Sequence, residues 1–183
     1  MTTTAKTAIK NLGFETTRAF QSAWALGPAL TTDGVIGPKT TAAALLSWER
    51  HQDGKGDIST HFSAHEFACH CGNQLAGCKG TLVTRRLLRA LEAYRDVYSP
   101  KGLTIVSGYR CEKYNAKVEG AKGSQHLVGR AADIAALQQV DVLAHRKWFT
   151  GLGYRKSDHK VCHVDVRTSA TTTAPDTWQY TKW

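Results

Sequence analysis

Apolar positions near the start of the chain recur with the spacing of short amphipathic helices that each bury one face. An Ala- and Leu-rich stretch that ends near Trp48 predicts a longer helix. The loop 32–40 precedes this helix, and we expect Gly34 and Gly37 to adopt turn conformations that are closed to other residues, while Pro38 lies near the start of the helix. The positions that predict the short helices are Ile9, Leu12, Phe14, Ala19, Phe20 and Trp24.

From residue 61 onward, the pattern mixes helices with short strands. Residues 82–94 carry leucines at helical spacing opposite a basic face, and residues 140–149 predict a second helix. The predicted strands are 104–107, 131–134 and 161–167. This mixture predicts an α+β domain with a small antiparallel sheet.

A polar stretch that contains two glycines separates the two patterns. Such composition between patterned segments is typical of a domain boundary. We therefore predict a first domain over residues 1–50, a linker over 51–60 and a second domain over 61–183.

The last predicted strand alternates between polar and apolar positions. His163, Asp165 and Arg167 share one face with Val161, and the other face carries Cys162, Val164 and Val166. A histidine presented in this way suits a metal ligand, since the strand fixes its position. The alternative is a solvent-facing edge strand without a ligand role.

Two further metal-ligating residues lie upstream, in the segment 124–133. Imidazole and carboxylate are good zinc ligands, and three protein ligands with one open position form the usual catalytic zinc site. His126, Asp133 and His163 supply that number. The alternative is that the two histidines are unrelated surface residues.

The segment 124–133 carries the complete pattern Ser-x-His-x-x-Gly-x-Ala-x-Asp. Here the chain resembles the zinc peptidases that include D-alanyl-D-alanine carboxypeptidases and phage L-alanyl-D-glutamate endopeptidases. The resemblance implies an α+β zinc peptidase domain that hydrolyses a peptide bond with zinc-activated water, with His126, Asp133 and His163 as ligands. A similar segment from Ser107 implies that Arg110, together with Ser124, binds the substrate.

The proton-transferring residue departs from this family pattern. The carboxypeptidase branch has an Asp-His pair just before the third ligand, as Asp-His-x-His. In this chain the pair is Asp158-His159, two residues farther from His163, and Val161 occupies the family's histidine position. Side chains two positions apart on a strand share a face, so His159 with Asp158 remains one candidate and Asp165 another.

The first fifty residues resemble the three-helix peptidoglycan-binding domain found beside many wall hydrolases. The matching residues are Phe20-Gln21, the pattern Asp-Gly-x-x-Gly-Pro-x-Thr from Asp33 to Thr40, Ala43 and Leu45. This resemblance implies bacterial peptidoglycan as a partner. The alternative is a plain helical hairpin with a structured turn.

Charge and composition narrow the remaining function classes. The formal net charge of +9 suits a polyanionic partner, but no nucleic-acid-binding motif occurs, so we expect no nucleic acid. Apolar runs are too short for membrane insertion, and the N-terminus lacks the apolar core of a secretory signal. We expect a monomer that stays in the host cytoplasm until it is released to the cell wall.

Three of the five cysteines crowd into ten residues: Cys69, Cys71 and Cys78. With Cys111, or with His65 and His70 as alternative ligands, they could hold a structural zinc ion. Their spacing is not paired Cys-x-x-Cys, so buried thiols or one disulfide are the competing interpretation. Cys162 is predicted to be a core residue.

Together these features predict a peptidoglycan hydrolase of the phage endolysin type. Two alternatives are a cellular D-Ala-D-Ala carboxypeptidase and a catalytically inactive wall-binding protein. A nucleic-acid-binding protein is supported by charge alone. The sequence leaves the cleaved bond open.

Overall fold

The computed structural model describes residues 3–136, 147–158, 160–168 and 176–180. Within these ranges the α-helices are α1 (Ala5–Asn11), α2 (Thr17–Ala23), α3 (Pro38–Gln52), α4 (Arg85–Tyr98) and α5 (Glu112–Lys117). Two short 3-10 helices cover Ala64–Phe67 and Gln125–Val128. No described helix has the length and apolarity needed to cross a membrane.

Side-chain caps and turn residues set the start of the N-terminal helices. The hydroxyls of Thr4 and Thr16 accept hydrogen bonds from backbone N–H groups in the first turns of α1 and α2. Gly34 has the positive φ (81°) predicted for it, and Pro38 is the first residue of α3. The prediction for Gly37 is wrong, because its φ of −87° is open to any residue.

The three N-terminal helices and the second half of the chain share one continuous apolar core. Within the predicted linker, α3 runs on to Gln52 and Ile58 is fully buried. The Ile58 carbonyl accepts a hydrogen bond from Ala25 N–H at 2.8 Å. The core includes Phe14, Phe20, Trp24, Phe62, Leu87 and Leu91. The division into domains at residues 50 and 61 therefore stays a prediction from the sequence.

A five-stranded sheet follows in the described residues, in the order β1-β2-β4-β3-β5. Its strands are β1 (Leu103–Ser107), β2 (Ala131–Ala136), β3 (Gly151–Arg155), β4 (Val161–Asp165) and β5 (Asp176–Tyr180). The first four pair antiparallel, and β5 adds to β3 in parallel. The α+β prediction with a small antiparallel sheet agrees with these four strands.

Most of the helix predicted over 140–149 lies outside the described residues, while Lys147 and Trp148 form a turn. The edge-strand alternative for residues 161–167 is wrong, since β4 lies between β2 and β3 and all of its residues are buried. A bulge at Cys162, where Gly153 faces His163 and Tyr154 faces Val161, also interrupts the predicted alternation.

Candidate active site

Three of the residues predicted to bind zinc meet at one point. His126 Nε2 lies 3.2 Å from Asp133 Oδ1 and 3.1 Å from His163 Nδ1, and His163 Nδ1 lies 2.9 Å from Asp133 Oδ1. All three side chains are buried. The structure thus brings together two imidazoles and one carboxylate that are far apart in the sequence.

The sheet and one tight turn create this convergence. Asp133 on β2 is the direct cross-strand partner of His163 on β4, which places the two side chains next to each other on one face. His126 lies on the 3-10 helix just before β2. That helix ends at Gly129, whose positive φ (66°) and close approach to the Leu82 backbone leave no room for a side chain.

In each histidine, the outer ring nitrogen, which points away from Asp133, is hydrogen-bonded to an oxygen that fixes the ring. His126 Nδ1 donates to the Gly108 carbonyl at 2.6 Å, and His163 Nε2 donates to Asp165 Oδ2 at 3.2 Å. When both rings are neutral, the inner nitrogens present lone pairs to each other and to Asp133. Three facing acceptors repel one another unless a proton or a metal ion lies between them, so these three side chains fit a metal ion.

The pKa shifts of the three side chains also fit a positive charge at their meeting point. Burial would raise the pKa of Asp133, but hydrogen bonds with His126 and His163 hold that pKa well below its usual range. Burial lowers the pKa of His126. The pKa of His163 is raised despite its burial, because it lies between Asp133 and Asp165. A proton on His163 and a metal ion therefore compete for the same place.

Asp165 lies behind His163 and does not line the cavity, so its contacts give it a supporting role, while its role as proton acceptor stays a prediction from the sequence. Its carboxylate is fully buried and is bound by Arg167 through Nε at 2.9 Å and Nη2 at 2.6 Å. Burial would raise the pKa of Asp165, but His163 and Arg167 lower it to about 2. A β-carbon on Gly151 would overlap both carboxylate oxygens, so this glycine leaves the room for Asp165.

A cavity of about 910 Å³ opens beside the three candidate ligands. The predicted substrate-binding residues Arg110 and Ser124 both line it. Arg110 Nη2 contacts Asp133 Oδ2, and Arg110 Nε donates to Ser107 Oγ at 3.1 Å. The cavity therefore carries a fixed guanidinium next to the candidate metal centre.

Asp158 does not line this cavity, and its catalytic role stays a prediction from the sequence. It is in the turn between β3 and β4, where its carboxylate pairs with the Arg155 guanidinium at 2.6 and 3.1 Å. It also accepts a hydrogen bond from Lys160 N–H at 3.1 Å. His159, its predicted partner, lies outside the described residues.

Two residues that shape the site, Arg167 and Gly108, are not among the predicted site residues. Arg167 lines the cavity and holds Asp165, although the sequence places it only on a polar strand face. Gly108 gives its carbonyl to His126, and a side chain there would overlap the Phe67 backbone. The polar alternation of residues 163, 165 and 167 was a usable signal for Arg167. Nothing local in the sequence marks Gly108 as a partner of His126.

The triad of His126, Asp133 and His163, buried beside the cavity, has the ligand types and number of a catalytic zinc site. The family model for peptidase M15 matches residues 60–165, more than half of the chain. The chain therefore belongs to the peptidase M15 family. This membership and the triad agree with the predicted zinc cofactor.

A similar protein is the zinc D-Ala-D-Ala carboxypeptidase of Streptomyces albus G. It is 28% identical over 125 residues, and the match covers 66% of this chain. The chain matches only 45% of the length of that relative. The family predicted from the Ser124–Asp133 pattern is thus confirmed, while the peptidoglycan-binding domain and the endolysin role stay predictions.

Proposed function

We propose that this chain is a peptidoglycan hydrolase that cleaves a peptide bond of the stem peptide or the cross-link. The observation that carries the proposal is the meeting of His126, Asp133 and His163 beside the cavity in a chain of the peptidase M15 family. The relative from Streptomyces albus G, named for its action on D-Ala-D-Ala, supports a substrate from the bacterial wall.

In this proposal His126, Asp133 and His163 hold a zinc ion. Zinc with three protein ligands lowers the pKa of water toward neutrality and polarises a peptide carbonyl. The chain's own contribution is orientation. The Gly108 carbonyl and the Asp165 carboxylate each fix the ring of one histidine, so that the inner nitrogens face Asp133 and each other.

Arg110 is the proposed anchor for an anionic group of the substrate. Its guanidinium is held at one side by Ser107 and Asp133 and lines the cavity together with Ser124 and Arg167. A planar guanidinium suits the two oxygens of a carboxylate. Peptides that contain D-Glu or end in D-Ala carry such a group close to the scissile bond.

His159 is the proposed proton acceptor, since Asp158 is paired with Arg155 and Asp165 is buried behind His163. This assignment rests on the Asp-His pair in the sequence. A histidine titrates near neutral pH, which suits transfer of a proton from water to the leaving amine.

The N-terminal helices are proposed to bind the wall. Gln21 is buried and its amide nitrogen donates to Asp33 Oδ1, the Val35 carbonyl and Thr40 Oγ at 2.9, 3.0 and 3.2 Å. Its amide oxygen accepts from Gly34 N–H at 2.8 Å. These bonds order the Asp33–Thr40 segment that carries the resemblance to wall-binding domains, and the net charge of +9 suits anionic wall polymers.

The combination of a wall-binding unit with a wall peptidase supports an endolysin that waits in the host cytoplasm and then reaches the wall. A D-Ala-D-Ala carboxypeptidase is the second candidate, favoured by the name of the Streptomyces albus G relative. The products separate the two, because a carboxypeptidase releases free D-alanine whereas an endopeptidase releases larger wall fragments.

The test of the site is replacement of its buried histidine. His126→Ala is expected to lose both the zinc of the triad and the hydrolysis of purified peptidoglycan. The matched control His65→Ala changes an exposed histidine on the 3-10 helix Ala64–Phe67 and is expected to keep both. Full hydrolysis by His126→Ala would reject this assignment.

A further inference from the structure

Four cysteines that are not part of the triad converge on a second point. The sulfur atoms of Cys69, Cys71, Cys78 and Cys111 all lie within 4.8 Å of one another, and each cysteine is a free thiol. Cys71 Sγ and Cys111 Sγ are 3.9 Å apart. Three of these residues belong to the loop before α4, while Cys111 comes from the segment between β1 and α5.

Sulfur spacing distinguishes a metal site from a disulfide. A disulfide places its two sulfurs about 2.05 Å apart, far closer than the 3.9 Å between Cys71 and Cys111. Four thiolates around a tetrahedral zinc ion, with Zn–S bonds of about 2.3 Å, lie about 3.8 Å apart. The 3.9 Å between Cys71 and Cys111, in a group whose sulfurs all lie within 4.8 Å of one another, fits the second arrangement better than a disulfide.

The backbone of the loop is folded around these sulfurs. Gly72 and Asn73 both have positive φ, at 60° and 62°, which turns the chain sharply after Cys71. The Cys69 N–H donates to the Gly80 carbonyl at 2.9 Å and so closes the loop. Cys111 N–H donates to Cys69 Sγ at 3.4 Å and so ties the Cys111 segment to the loop.

We propose that Cys69, Cys71, Cys78 and Cys111 bind a second zinc ion with a structural role. Four thiolate ligands fill a tetrahedral shell and leave no open position, which is the property of structural rather than catalytic zinc sites. The sequence alternatives His65 and His70 are not part of this group. His65 is exposed, and His70 lines the large cavity.

The position of this site explains what the ion stabilises. Cys111 directly follows Arg110, and Cys69 and Cys71 flank His70, so two cavity-lining residues are attached to the cysteine group. Tyr109 packs against Cys69 and Cys111, and its N–H donates to the Phe67 carbonyl at 2.9 Å. The zinc ion would thus join the loop to the segment that carries Arg110.

The test counts metal in the full chain and in variants of each site. We expect about two zinc ions per chain in the wild type and about one in His126→Ala. The double variant Cys71→Ser/Cys78→Ser should also keep about one, and Cys162→Ser, which removes the cysteine outside the group, should keep about two. A single zinc ion in the wild type, lost in His126→Ala, would overturn the proposal.

Cobalt substitution keeps the test decisive if the double cysteine variant fails to fold. His126→Ala loaded with Co²⁺ is expected to show the intense thiolate-to-cobalt charge-transfer absorption of a sulfur-ligated site. Absence of that absorption, or an intact mass that reveals a disulfide among the four cysteines, would contradict the proposal. None of these readouts depends on wall hydrolysis, so the peptidase assignment can fail without affecting them.

Discussion

Replacement of Asp165 by asparagine tests whether an outer carboxylate holds the zinc-binding histidine in place. Asp165 Oδ2 accepts from His163 Nε2 at 3.2 Å, and Arg167 binds both carboxylate oxygens. Asparagine keeps the size but removes the charge that orients and polarises the imidazole. Loss of such a partner typically weakens metal binding by about 10- to 100-fold, or about 1.4 to 2.8 kcal/mol.

The assay is competition for zinc against a chromophoric chelator, with circular dichroism to confirm folding. Asp158→Asn is the matched control, because it makes the same chemical change in the turn between β3 and β4, away from the cavity. We expect Asp165→Asn to bind zinc at the triad more weakly and Asp158→Asn to bind it like the wild type. Equal zinc affinity in Asp165→Asn and the wild type would refute the role assigned to Asp165.

Gly151→Ala is expected to displace Asp165 and lower stability by about 1 to 3 kcal/mol, measured by urea unfolding; Gly123→Ala, where a β-carbon meets no atom within 4 Å, should cost far less. Gln21→Ala should lower the free energy of unfolding by about 1 to 3 kcal/mol and weaken binding to purified wall in a pull-down. Gln52→Ala, at the exposed end of α3, should change neither. His163 and Arg167 outweigh burial and lower the pKa of Asp165 to about 2 in the folded chain, below its value in the unfolded chain. The ionised carboxylate therefore stabilises the fold fully above the pKa of the unfolded chain, and this stabilisation is lost as the pH falls toward 2. Zinc-free wild type should therefore lose about 2 kcal/mol more than Asp165→Asn between pH 5 and 2.

Local sequence patterns are sufficient to predict several helices and strands and the residue types of the candidate zinc site. A short apolar segment predicts the strand that contains Asp133, and the alternation of polar and apolar positions predicts the strand that contains His163. Leucines at helical spacing predict α4. The chemistry of His126, Asp133 and His163 was equally visible, since few residue types bind zinc. The structure adds their spacing of 2.9 to 3.2 Å.

Contacts between distant segments could not be predicted in the same way. The role of Asp165 depends on Arg167 and on the space left by Gly151 of the neighbouring strand, which no alternation pattern reveals. Cys111 joins the cysteine group only because β1 leads the chain back to the loop before α4. The prediction for Gly37 is wrong for a different reason, because a glycine in a loop need not have a positive φ.

Digestion of purified peptidoglycan is the most direct test of the central claim. The full chain is incubated with the wall, with and without a chelator, and the released fragments are analysed by mass. We predict fragments or free D-alanine that disappear with the chelator and return when zinc is restored, and their masses identify the cleaved bond. A folded, zinc-loaded protein that releases nothing would contradict the proposed hydrolase and favour a wall-binding protein without activity.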